Sequence, residues 1–128
     1  MITTTDVANI LVRDCKAFGI EVLQKGNIPE CEITKERIII HVKKQSTETY
    51  WKKCFVDVNF CAPDKYNEAD LALLNNLEHN ALDNLESVGV YNSSHYRYSV
   101  YSHGLESDSS MKCHLINVKL LFEVLNVN

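Results

Sequence analysis

The stretch YWKKCFVDVNFCAPDKYNEADLALLNNLE, beginning at Tyr50, gathers two cysteines, several acids and an asparagine within a short length of chain. If Cys54 and Cys61 share a strand, they lie roughly 23 Å apart at about 3.3 Å per residue. They also point to opposite faces, because strand side chains alternate. A disulfide needs Cα atoms within about 7 Å, and zinc needs converging ligands, so this pair can make neither. Cys54 reads instead as a core thiol that behaves as a small hydrophobe. Five cysteines are an odd number, with no CxxC among them. That arithmetic suits a reducing compartment better than a secreted disulfide framework.

The histidines offer no ligand spacing either. His41, His95, His103 and His114 fall on or beside expected strands, and His79 falls on an expected helix. Cys113 and His114 are adjacent and so diverge, and no HxH or HExxH occurs. Any metal site would have to be assembled from distant segments.

Two acids stand out by position. At about 100° per residue, Asp14 falls inside an apolar stripe with Val7, Leu11 and Phe18. Glu78 likewise falls among Leu71, Leu74, Leu82 and Leu85. Two carboxylates facing one core could form a general acid/base pair. The alternative is that each reaches the sheet's edge or pairs with an Arg, Lys or Tyr such as Arg97. Asp57 and Asn59 share a strand face and, with Asp64 and Glu68, raise a cation-dependent nuclease. Asp64 and Glu68, however, sit where a turn and a helix start attract acids anyway.

A third group would bind and not react. YRYSVY, with Tyr96, Tyr98 and Tyr101 around Arg97, could stack bases on a sheet. Lys43, Lys44, Lys52 and Lys53 make a local basic patch beside Tyr50 and Trp51. A two-faced strand and a solvated hairpin explain the same residues. Trp51, the only tryptophan, is oddly placed unless it meets another surface.

The elements that must position these residues can be read in order. Thr3 with Asp6 predicts a capping box, the stripe Val7, Ile10, Leu11 and Phe18 a helix, and Gly19 its stop. IEVLQKGN predicts a short strand and turn, and CEITKERIIIHVKK a strand centred on Arg37–Val42. QSTETY reads as a polar link, so that the next strand, WKKCFVDVNFCA, returns as the arm of a projecting hairpin. Within it Cys54, Val56, Val58 and Phe60 share one face while Phe55, Asp57, Asn59 and Cys61 share the other.

Pro63-Asp64 ends that strand, and Asn67 is expected to cap a second helix with the stripe Leu71, Leu74, Leu77, Ala81, Leu82 and Leu85. Gly89 is expected just beyond that helix. SSHYRYSVYSH predicts a strand, GLESDSS a loop and KCHLINVKLLFEVL a final strand. The order is helix, three strands, helix, two strands. The fold class is α+β, a mostly antiparallel sheet with two amphipathic helices packed on one face.

Length and charge bound the function. A chain of 128 residues fits one domain spanning 1–128. A formal net charge of −4 argues against a protein whose main work is gripping nucleic acid. The opening MITTTDVANI lacks a basic segment followed by an apolar run, so no secretory signal is expected. No apolar run approaches the roughly 20 residues of a membrane span.

With hairpin, strand-turn-helix and closing strand in that order, the chain resembles the tail terminator, or tail-completion, proteins of long-tailed bacteriophages. The resemblance rests on ERIIIHVKKQSTETYWKKCFVDVNF after a short N-terminal helix, on VDVNFCAPDKYNEADLALLNNLE, and on KCHLINVKLLFEVLN. It covers nearly the whole chain, while the five cysteines and the NSSHYRY stretch depart from the pattern. It implies a minor tail protein that is structural, not an enzyme, and needs no cofactor. Such proteins cap the tail tube as a ring, commonly of six copies, and form the surface that joins tail to head. The implied partners are its own copies, the tail tube protein and the head–tail connector, with DNA only as passing cargo and no membrane. The implied location is the virion tail, after synthesis in the host cytoplasm. The hairpin around Lys43–Lys53 would be the loop that contacts neighbours or the tube. Against this stand a head–tail connector of the same fold and, from other classes, a small nucleic-acid-binding domain and a metal-dependent nuclease.

Overall fold

The structure is a computed structural model that describes residues 2–24, 34–44 and 53–125. The first helix, α1 (Thr4–Cys15), begins with a reciprocal cap. Asp6 donates its N–H to Thr3 Oγ1 at 3.1 Å, and Thr3 donates its own to Asp6 Oδ2 at 3.0 Å. A 3-10 turn over Lys16–Phe18 follows and ends at Gly19, whose φ of 72° is left-handed.

Next come β1 (Glu21–Gln24), β2 (Arg37–Val42), β3 (Lys53–Pro63), α2 (Leu71–Asn84), β4 (Ser87–Tyr91), β5 (Ser94–Asp108) and β6 (Cys113–Val124). They build one six-stranded sheet in the order β1-β2-β3-β6-β5-β4. Only β1 and β2 run parallel, and the other neighbours are antiparallel. The α+β class expected from the sequence is the fold observed.

Both helices pack on one face. Val56, Val58, Phe60, Val118, Leu120 and Phe122 on the central strands meet Val7, Ile10 and Leu11 of α1 and Leu74, Leu77 and Ala81 of α2. The alternation read in β3 therefore has its apolar half, Cys54 included, turned to the core. α1 starts beside Gln24 and Val42, and its last turn reaches β5, so it crosses the sheet.

Four local expectations are corrected. Asn67 does not cap α2, because Tyr66 and Asn67 have φ of 54° and 62° and make a tight two-residue turn. Lys65 and Glu68 close that turn with N–H···O bonds of 2.8 and 3.0 Å, and the cap passes to Asp70. The apolar stripe of α2 is narrower than expected, since Leu71 and Leu82 on its flank are 62% and 39% exposed.

A strand, β4, occupies the place read as helix exit, and Gly89 lies within it. Asn92 and Ser93, with φ of 47° and 65°, supply its hairpin to β5 without any glycine. GLESDSS mostly continues β5, which runs to Asp108 because it pairs with β6 along its length, a bulge near Tyr101 resetting the register. The order is thus helix, three strands, helix, three strands. QSTETY, the tip of the expected hairpin, lies outside the described residues.

Candidate interaction surface

The face of the sheet away from the helices carries the odd-numbered residues of β3. Register places Lys43, Phe55 and Leu121 in one row across three strands, and His41, Asp57 and Lys119 in the next. Lys43 Nζ pairs with Asp57 Oδ2 at 2.9 Å. Lys119 Nζ stands 5.4 Å from the centroid of Phe55, which meets Tyr101 edge-on at 4.9 Å. Arg97 Nε pairs with Glu123 Oε1 at 3.1 Å in the row on the other side of Phe55. Asn117 donates to Asn59 Oδ1 at 2.8 Å. At this end the face is a mixture of lysines and aromatic rings, with Tyr101 62% exposed.

Of the residues singled out from sequence, Lys43, Lys44, Lys53 and Tyr101 lie at this end of the sheet. Tyr50, Trp51 and Lys52 lie outside the described residues. Tyr96 and Tyr98 are corrected: both are 2% exposed and stack on Phe122 in the core, because β5 turns its even positions toward the helices before the bulge. Phe55, which the sequence offered only as one half of an alternation, takes their place beside Tyr101.

The acids do not converge. Asp14 accepts from Tyr98 Oη at 2.8 Å and from Arg13 Nε at 3.0 Å, while Arg13 Nη2 donates to Tyr96 Oη at 2.9 Å. Glu78 meets His103 Nδ1 at 2.6 Å, and Asp64 meets His114 Nδ1 at 2.7 Å. Each carboxylate in the core-facing stripes thus has its own partner, and Arg97 serves Glu123 instead. Asp57 is buried beside Lys43 on the sheet face away from the helices and Asp64 stands with His114, so the nuclease set is split between two environments. No three His, Cys, Asp or Glu among the described residues gather to hold a metal.

Burial pushes the thiols of Cys15 and Cys54 up to about 12, which keeps them protonated and inert. Cys61 faces away from Cys54, as alternation requires, and lies in a small cluster with Ile39, Cys113 and Leu115. Cys61 is opposite Leu115 and Cys113 opposite Pro63, so the two thiols are diagonal neighbours. Their mutual interaction, reinforced by burial, pushes Cys61 up, while the same interaction pulls Cys113 down against the opposing effect of burial. That pairing needs the β3–β6 register, which no spacing in the sequence reveals.

A cleft of about 320 Å3 opens on the helix-bearing side, between the C-terminal ends of α1 and α2 and above Tyr98. No helix among the described residues is long and apolar enough to cross a membrane. Comparison with family models, curated proteins and solved structures gives no match.

Proposed function

We propose that this chain is a structural subunit of the phage tail terminator type, closing the tail tube as a ring and offering the surface to which the head joins. The observation that carries the reading is the pair of unlike outer strands. Among the described residues, β1 bounds the sheet on one side and β4 on the other. β1 is a four-residue strand parallel to its neighbour. β4 is antiparallel and presents Val88 and Val90 at 72% and 55% exposure.

A closed ring is made by head-to-tail contact between two different patches of one subunit. Two dissimilar edges on opposite sides supply such patches, and exposed apolar side chains on an outer strand favour pairing over solvent. A net charge of −4 suits a channel through which DNA slides without adhering. The partners are then copies of this chain, the tube protein and the connector, and the place is the virion tail. Electron microscopy of particles assembled without the chain tests this reading against that of a head–tail connector.

A second reading, a small nucleic-acid-binding domain, is favoured by one observation, the Phe55–Tyr101 pair with Lys119 and Lys43 beside it. Base stacking on such rings with lysines near the backbone is a way to hold a single strand. Filter binding at low and moderate salt separates the two, because phosphate-driven affinity falls steeply with salt.

A further inference from the structure

We infer that the cleft between the ends of α1 and α2 is a binding site for an organic cation, an ammonium or guanidinium group on a short carbon chain. Its volume, about 320 Å3, falls at the small end of ligand-sized clefts. Its walls divide by chemistry: Asp14, Asn80 and Asn84 are polar, and Phe18, Leu85 and Tyr98 are apolar. That is the division a cation with an alkyl stem requires.

The electrostatics select the sign. Each helix ends here, and a helix C-terminus carries about half a negative charge on its unpaired carbonyls. Asp14 adds a full one. Next in sequence to the lining residues are the exposed acids Asp83 and Glu86 and the cations Arg13, Lys16 and Arg97, and Arg97 is turned to the opposite face of the sheet, where it pairs with Glu123. With Arg97 turned away, acids outnumber cations even before the two helix ends are added.

Asp14 is not exhausted by its partners. A carboxylate has about four acceptor positions, and Tyr98 and Arg13 take one each. Burial and the bond to Asp14 hold the Tyr98 phenol far above its ordinary range, so it remains a fixed donor that anchors the carboxylate. Asn84 spends its Nδ2 on the Asn80 carbonyl at 2.8 Å, which leaves Oδ1 as an acceptor. Phe18, half-buried and edge-on to Phe60 at 5.2 Å, supplies apolar surface for the carbon chain.

The group could arrive on a free alkyl cation or as an arginine side chain of another protein, and two probes distinguish these. The purified chain is titrated with agmatine and, separately, with acetyl-arginine amide at low salt, and amide and side-chain NMR shifts are followed. Saturable shifts at Phe18, Asn84 and Tyr98 are expected with at least one probe, the tighter one identifying the source. Asp14→Asn keeps an oxygen for Tyr98 but removes the charge, and it should weaken binding about tenfold, as loss of one charged hydrogen bond does. Asn84→Leu, at an exposed position, gives a second weakened variant without touching the core. The inference is overturned if neither probe shifts these residues, if butanol shifts them equally, or if both variants bind as the parent does.

Discussion

Tyr98 Oη donates to Asp14 Oδ2 at 2.8 Å across 84 residues of sequence, and this bond ties the last turn of α1 to β5. Tyr98 is 2% exposed, so removing its hydroxyl takes a buried donor from Asp14 and leaves that carboxylate with Arg13 alone. Tyr98→Phe should cost about 1–3 kcal/mol in urea unfolding. Asp14→Leu together with Tyr98→Phe should recover most of that loss, since two apolar groups of similar shape need no bond. A double-mutant cycle measures the coupling.

Gly89 sits directly opposite Tyr96 on β4 and β5. A Cβ at position 89 would stand 2.5 Å from Tyr96 Oη and 2.7 Å from its Cζ. The ring is buried and held by Arg13, so it has little room to retreat. Gly89→Ala should therefore lower the thermal midpoint, by an overpacking cost of about 1–3 kcal/mol. Gly89→Ala in a Tyr96→Phe background should lose less, because the closest atom has gone.

The thiols predict the alkaline limb of stability. Burial raises Cys15 and Cys54 to about 12, and burial with the Asp14 bond raises Tyr98 further. A raised group adds stability that is complete below its unfolded value and is lost as pH climbs toward its folded one. The urea midpoint should thus hold to about pH 8.5, the ordinary thiol value, and fall steadily above it. Cys54→Val should flatten part of that decline. Thiol reagents near neutral pH should reach Cys15 and Cys54 only after unfolding.

Val88 and Val90 sit on β4, an outermost strand among the described residues, at 72% and 55% exposure. Val88→Lys with Val90→Lys should change the unfolding free energy of the isolated chain by no more than about 0.5 kcal/mol per site. The same pair should abolish incorporation into particles, because lysines on an edge strand oppose pairing with another chain. Incorporation at parental level would remove β4 from the ring contact.

Much of this fold was legible in the residues. The Thr3–Asp6 cap, the alternation of β3 and the α+β class depend on local spacing, and the structure shows them as read. What escaped depended on partners far away in sequence. β4 is only five residues long and its alternating valines, Val88 and Val90, face solvent and not the core, and its turn is made by Asn92 and Ser93 without the usual glycine. The polar end of β5 is a strand only because β6 pairs with it. Tyr96 and Tyr98 looked like surface residues because the alternation of YRYSVY does not say which face the helices cover. Asp14 was correctly marked as anomalous within its stripe, but Tyr98 as its partner required the crossing of α1 over the sheet. The surface candidates Lys43, Lys44 and Tyr101 could be found from charge and aromaticity. Phe55 and the Cys61–Cys113 contact needed the register.

The central claim, a terminator ring, is tested most directly by deleting the gene from the genome that carries it and imaging, by electron microscopy, the phage particles that the claim requires it to make. The account predicts tails of uncontrolled length, free of heads, restored to normal length by the parent chain and not by the Val88→Lys, Val90→Lys chain. Normal-length tails beside separate filled heads would contradict it in favour of a connector. Normal infectious particles would contradict any role in the virion.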